Sequence, residues 1–234
     1  MKKGFSIIIP VLHEAAVINE LLGHLQTLTD AGRCEVIVVD GSAAGDTRQA
    51  IGDREVVCLA APSGRGRQMN AGAAVAEGEI LIFLHADTRL PVDALPLIDR
   101  VLADQACLGG AFNLAIGSRK WIYRLIAVLA SWRSRLTRIP YGDQAIFIRR
   151  HTFRQLGGYP EIPLMEDVAL MRGIKRGGGK ISILSQCVMT SSRRWEREGV
   201  LYATLRNWLL ITAYCFGMPP EKLVRYYKNN GSKE

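Results

Sequence analysis

An α/β fold, a mostly parallel twisted sheet flanked by helices with a helical C-terminal appendage, is predicted by three features of this sequence. Short β-branched apolar runs alternate with helical stretches through the first 116 residues; each run closes on a turn rich in Gly, Pro, Ser or Asp; and carboxylates gather at the ends of the runs. The 234 residues suffice for one large domain with an appendage. With 48% hydrophobic and 22% charged residues, the chain is globular in composition and not disordered.

Taken in order, Phe5–Leu12 is the first strand. Lys2 and Lys3 before it superficially suggest a secretion signal, but Pro10 interrupts the run, His13-Glu14 ends it, and no small-residue cleavage site follows. An amphipathic segment runs on through Leu28. Glu35-Val-Ile-Val-Val39 ends at Asp40 and leads through Gly41-Ser42 to a helix around Asp46–Ile51. Glu55–Ala60 leads through Pro62–Gly66 to a helix ending near Gly78, and Glu79–Leu84 ends at His85-Ala86-Asp87. Beyond residue 116, Ser118–Arg138 lacks Gly and Pro and reads as a long helix. Lys120, Arg124, Ser131, Arg135 and Arg138 fall near one face; Trp121, Leu125, Ile126, Leu129, Trp132 and Leu136 fall on the other, which is expected to cover the sheet. Residues 144–150 form a strand, and Glu166–Arg176 a helix stopped by Gly177-Gly178-Gly179. An apolar helix from Arg197 to Phe216 precedes Pro219-Pro220 and a short Glu221–Tyr227 segment. Arg206 and Asn207 interrupt its apolar stretch, which stays below the ~20 residues of a membrane span.

Thirty Lys and Arg against 22 Asp and Glu leave a net charge of +8, which favours anionic partners: phosphates, nucleic acid or acidic lipid. The five cysteines are odd in number and show no CxxC pair, so reduced thiols in a cytoplasmic compartment are expected.

In an open parallel sheet, ligands bind beyond the carboxyl ends of the strands. Glu14, Asp40 and Asp87 fall at three such ends, and together they would repel unless a cation or hydrogen-bond donors lay between them. Singly, each has an ordinary alternative: Asp40 caps the next helix and Glu14 is solvated. Asp87 suits a hard cation that takes its remaining ligands from a diphosphate; His85 is either a second ligand, better for Mn2+ than Mg2+, or a core histidine. Gly64-Arg-Gly-Arg-Gln-Met-Asn-Ala-Gly72 follows a strand and enters a helix, so its glycines and Arg65 and Arg67 would admit an anion. It is neither a Walker loop nor a good dinucleotide fingerprint, since Met69 holds the third glycine position. Glu166-Asp167 opens a helix, where an acidic pair either complements the dipole or supplies a general base.

These segments together carry a resemblance. Ile-Ile-Ile-Pro10-Val-Leu-His-Glu14, Val-Ile-Val-Val-Asp40-Gly-Ser, Asn70-Ala-Gly72, Leu84-His-Ala-Asp87 and Met165-Glu-Asp167 come in the order seen in family 2 glycosyltransferases of the GT-A fold. The chain also resembles the bacterial radical-SAM/selenodomain-associated transferase subgroup. The resemblance implies an inverting enzyme that moves one sugar from a nucleotide-diphosphate sugar to an acceptor hydroxyl with a divalent cation, Mn2+ or Mg2+. It implies a GT-A-like domain over residues 1–195, with a nucleotide-binding half at 1–116 and an acceptor half at 117–195, followed by the helical appendage at 196–234. Pro10, His13, Glu14 and Asp40 would line the nucleoside pocket, with Arg65, Arg67 and His85 also on the donor. Asp87 would hold the metal, with His85 beside it, and Asp167, or else Glu166, would be the base. Ser191-Ser-Arg-Arg194-Trp195 is similar to the Gln-x-x-Arg-Trp of processive members, which places Arg194 and Trp195 near the diphosphate. Two departures stand out: His85 replaces the first aspartate of Asp-x-Asp, and Ser191 replaces the glutamine, which argues against polymer synthesis.

The basic Ser118–Arg138 helix and the C-terminal helices, with Lys222, Arg225 and Lys228, would suit an anionic membrane surface and a lipid-linked acceptor, placing the protein peripherally on the cytoplasmic face. Two other classes compete. A nucleotidyltransferase acting on sugar phosphates would carry its Gly-rich signature after the first strand, where Pro10–Glu14 stands. A non-catalytic basic module binding nucleotides or nucleic acid would show a basic stripe with exposed aromatics; none is distinct, so no nucleic acid is expected.

Overall fold

A computed structural model describes residues 3–28 and 33–228. Lys2 and the side chain of Lys228 lie outside the described residues. Four βα steps open the chain: β1 (Phe5–Val11) with α1 (Ile18–Gln26), β2 (Cys34–Asp40) with α2 (Asp46–Ala50), β3 (Val57–Ala60) with α3 (Arg65–Val75), then β4 (Ile80–Phe83) with the short β5 (Thr88–Arg89) and α4 (Ala94–Leu102). The second half comprises β6 (Cys107–Ile116), α5 (Trp121–Thr137), a 3-10 turn at Gly142–Gln144, β7 (Ile146–Arg149), α6 (Arg150–Gln155), α7 (Glu166–Arg176) and β8 (Lys180–Thr190). Three helices close it: α8 (Arg193–Glu198), α9 (Val200–Cys215) and α10 (Pro220–Lys228).

Among the described residues the strands form one sheet of eight in the order β3-β2-β1-β4-β7-β6-β8-β5. Pairs β3/β2, β2/β1 and β1/β4 are parallel, as the alternating pattern predicts. The far side is mixed: β7 runs against both β4 and β6, β8 is parallel to β6, and β5 is antiparallel to β8. The sheet is therefore mostly parallel, as expected, in four of its seven pairings among the described residues, and the reversals fall at β7 and β5. A strand buried on both faces reads as the same apolar run in either direction, so Ile146–Ile148 does not announce its reversal.

The sheet separates two cores. Ile7 and Ile9 of β1 face Leu21, Leu22 and Leu25 of α1 and Ile98 of α4, while Ile8 faces Met69 and Ala73 of α3 and Met171 and Ile174 of α7. Gly72 lets α3 lie directly on β1: a Cβ there would come within 2.5 Å of Ile8 Cγ2.

Helix α5 packs with the face opposite to the one expected. Tyr123, Ala127, Ser131 and Ser134 point inward, and the Leu114 amide of β6 donates to Ser131 Oγ at 2.9 Å. Trp121, Val128, Trp132 and Leu136 are exposed, Trp132 at 64%. Small side chains allow the close approach to β6, and that requirement overrides apolar count. The long C-terminal helix is also divided, because Gly199 at φ 87° separates α8 from α9. Among the described residues no helix is long and apolar enough to cross a membrane.

Candidate active site

The ends of β1, β2 and β4 share one edge, and two adjoining cavities open there. The larger, about 670 Å³, is lined by Pro10, Glu14, the Gly64–Gln68 loop, His85 and Asp87. The smaller, about 200 Å³, is lined by Asp143, Glu166, Asp167, Arg194 and Trp195, with Ile126 and Ala130 of α5 and Trp208 and Ile211 of α9 beyond them. Arg65, His85, Asp87 and Tyr227 belong to both walls and mark the junction.

Two of the expected donor residues lie elsewhere. Asp40 is buried, and its carboxylate accepts the Ser42 amide at 2.8 Å and the Arg48 amide at 3.0 Å; it builds the turn into α2 and lines neither cavity. His13 sits at φ 57° and turns away to Asp46, with Nδ1 to Oδ2 at 3.1 Å. The side chain that does join β1 and β2 at the cavity is Gln68, whose Nε2 donates to the carbonyls of Val11 at 2.7 Å and Val39 at 2.8 Å.

The arginines of the Gly-rich loop are fixed by carboxylates. Arg65 Nε lies 3.3 Å from Glu166 Oε1, and Arg67 Nε lies 3.1 Å from Glu161 Oε2 on the exposed side. Glu166 is buried; burial and the neighbouring Asp167 push its carboxyl up against the pull of Arg65. Its position suits holding Arg65 toward the junction. Glu14 sits 3.4 Å from Arg193, so the β1 end and the start of α8 are linked by charge across the cavity rim.

His85 follows β4 and is held neutral: burial, with Arg65 and Arg194 nearby, brings its imidazolium down to about 3. The Asp87 carbonyl accepts the Ser191 amide at 3.1 Å, which ties the β4 end to the end of β8. Among the described residues no three His, Cys, Asp or Glu side chains form a ready-made cation cage. A neutral imidazole and a carboxylate two residues apart nevertheless match the sparse protein ligation of a hard cation that draws its other oxygens from a diphosphate.

Opposite this pair stands the Gly142–Gln144 turn. Buried Gln144 anchors it: Ser134 Oγ donates to Gln144 Oε1 at 2.6 Å, and Gln144 Nε2 donates to the Phe112 carbonyl at 2.8 Å. The Gly142 amide donates to Asp167 Oδ2 at 2.7 Å, and the Val168 amide donates to Oδ1 at 2.7 Å. Asp167, so held, lines the smaller cavity from the first turn of α7, whose N-cap, Met165, is left-handed at φ 70°. Leu164 beside it packs with Leu210 of α9 and Leu223 of α10. Arg194 donates from Nη1 to the Tyr227 hydroxyl at 3.3 Å, and its guanidinium lies 5.1 Å from the Trp195 ring centre.

Six buried side-chain polar atoms among the described residues have no hydrogen-bond partner, and four of them, Asp143 Oδ1, Arg194 Nε, Trp195 Nε1 and Thr204 Oγ1, belong to residues on the smaller cavity. Unsatisfied groups are costly in a folded core, and four of the six lie on residues around this one cavity. Asp143, Gln68 and Tyr227 were not legible as site residues; Gly142-Asp143-Gln144 signals only a polar turn before an apolar strand.

Comparisons with known proteins agree with this fold. The mannosyltransferase PcManGT from Pyrobaculum calidifontis, solved with GDP-Man and Mn2+, is similar with a TM-score of 0.66 at 18% identity, over 97% of this chain and 69% of that one. S. aureus TarS 1–349 in complex with UDP-GlcNAc is similar with a TM-score of 0.61 at 16% identity, over 99% of this chain and 68% of that one. The chain spans 42% of another solved S. aureus TarS structure. No curated protein matches it by sequence. The family described as Glycosyl transferase family 2 matches residues 6–157, well over half of the sequence, and this chain, a glycosyltransferase, belongs to it.

Proposed function

We propose that the protein transfers a single sugar, with inversion, from a nucleotide-diphosphate sugar to an acceptor hydroxyl. The observation that carries this reading is the junction: two cavities, one floored by the strand ends and the other by Asp167, meet at Arg65, His85 and Asp87. A donor laid across it has its nucleoside among Pro10, Glu14 and Gln68, in the nucleotide-binding half. Its diphosphate lies at the junction, and its sugar lies in the smaller cavity.

Asp87, with neutral His85 beside it, would hold a divalent cation, Mn2+ or Mg2+. When bound, that cation supplies positive charge against the departing diphosphate. Arg65, kept in place by Glu166, and Arg194 add fixed charge at the same end. Asp167 takes the acceptor proton while the acceptor oxygen attacks the anomeric carbon from the side opposite the diphosphate, which inverts that carbon. The Gly142 amide keeps the carboxylate oriented.

The acceptor side of this reading is a membrane surface. Exposed Trp132 and Leu136 of α5 and Leu201, Leu205 and Leu209 of α9 leave apolar faces beside the acceptor half of the cavity, with Lys120, Arg124 and Arg135 among them. Such faces fit an anionic bilayer on the cytoplasmic side and a lipid-linked acceptor. The five free thiols suit that reducing compartment.

A thermal-shift panel of nucleotide sugars, each with and without Mn2+ and Mg2+, tests the donor assignment. One donor is expected to raise the melting temperature only with a cation present, and Asp87→Ala is expected to abolish the cation-dependent part. A wild-type melt unmoved by every donor, with either cation, refutes it.

A further inference from the structure

Asp143 is a carboxylate on the wall of the smaller cavity, presented by a turn that no catalytic motif announces. Its Oδ1 is buried with no hydrogen-bond partner among the described residues. The turn is rigidly built, since Gln144 is completely buried and bonded to both α5 and β6. The neighbouring Gly142 amide simultaneously holds Asp167. Asp143 also lies within electrostatic reach of Arg194, Arg133, Asp167 and Asp87.

Three of these neighbours, Asp87, Asp167 and Arg194, line the same cavity as Asp143. Asp87 and Arg194 stand where the diphosphate ends, and Asp167 stands where the acceptor oxygen attacks. On that reading the ring being transferred occupies the smaller cavity, and Asp143 is on its wall. Sugar hydroxyls are hydrogen-bond donors, and a carboxylate accepts from them strongly. Because the terminal torsion of an aspartate is broad, a modest rotation offers either oxygen to a ligand.

We infer that Asp143 grips a hydroxyl of the transferred sugar and so selects among donors that share a nucleotide. The inference rests on the reading of the cavity as a nucleotide-sugar site. It separates Asp143 from the base, which meets the acceptor, and from the cation end, which meets the diphosphate.

Titration calorimetry with Mn2+ present tests it, using UDP and GDP alone and then UDP-glucose, UDP-N-acetylglucosamine and GDP-mannose. For the sugar that the wild type binds, Asp143→Asn and Asp143→Ala are expected to weaken binding by about tenfold or more, as expected for losing a hydrogen bond to a charged group. Affinity for the matching bare nucleoside diphosphate is expected to stay within about twofold, a split that merely structural damage does not produce. The ligand-free melting temperature of Asp143→Asn, which keeps the side chain's shape, is expected to equal or exceed the wild type's, because an unpartnered buried carboxylate is removed. Equal losses for bare and sugar-bearing nucleotides, or no loss for either, overturn the assignment of Asp143. A wild type that binds the bare nucleotides but none of the three sugars overturns the reading of the cavity itself.

Discussion

Between His85 and Asp167 there is room for only the bare α-carbon of Gly142: a Cβ there would lie 2.9 Å from His85 Nε2 and 3.6 Å from Asp167 Oδ2. In this confined place His85 stays uncharged, because burial and the charges of Arg65 and Arg194 disfavour its imidazolium. Its folded form takes a proton only near pH 3, whereas an unfolded histidine does so near 6.5. The unfolded chain therefore binds more protons in that window, and stability falls as pH drops from about 6.5 toward 3. His85→Asn removes this contribution, so its melting temperature is expected to decline less steeply than the wild type's between pH 6.5 and 4. Parallel slopes would mean that His85 protonates normally in the folded protein. At this scale the sequence brought Asp87, Asp167, Arg194 and Trp195 to one site, and all four line the smaller cavity. It was misleading for Asp40, whose acid group serves two backbone amides, and silent for Asp143, because a turn aspartate looks alike whether it faces solvent or substrate.

Helices α5 and α9 flank the smaller cavity, and the packing of α5 inverts a common assumption. Apolar periodicity located α5 well but assigned it the wrong inner face. The β6 strand accepts Ala127, Ser131 and Ser134 at close range and leaves the tryptophans outside. Exposed apolar side chains gathered on neighbouring helices, rather than scattered singly, point to a surface that something covers. Vesicle flotation addresses this directly. The protein is expected to float with anionic vesicles at low salt and to be released as salt rises, since the electrostatic part is screened. Trp132→Ser combined with Leu205→Ser is expected to cut binding about fivefold or more without lowering the melting temperature, both residues being more than 60% exposed. Wild-type protein left unbound at low salt contradicts a membrane role for these helices.

The whole molecule divides into a half that its sequence spells out and a half that it does not. From β1 to β4, strands and helices alternate with clean boundaries, and the parallel order follows. Beyond that, β6 and β8 escape a pattern search because their pairing needs residues that strands usually avoid. Gly110 is one: a Cβ there would come within 2.1 Å of the Ser182 carbonyl oxygen. β8 is interrupted by Ser185, Gln186 and Cys187, none of them buried, so it lacks one continuous apolar run. Those strands nevertheless complete the site, since β8 delivers Ser191 to Asp87 and leads into Arg194. The proposed reaction joins both halves: Asp167, in the second half, takes the proton of an acceptor or water whose oxygen attacks a sugar, while Arg65, His85 and Asp87 of the first half face its diphosphate. Its most direct test is proton NMR of the free sugar released by slow hydrolysis of an α-linked nucleotide sugar. The β anomer is expected to appear first, and Asp167→Asn is expected to slow its release by about a hundredfold or more. Initial release of the α anomer, or an unchanged rate in Asp167→Asn, would contradict the account.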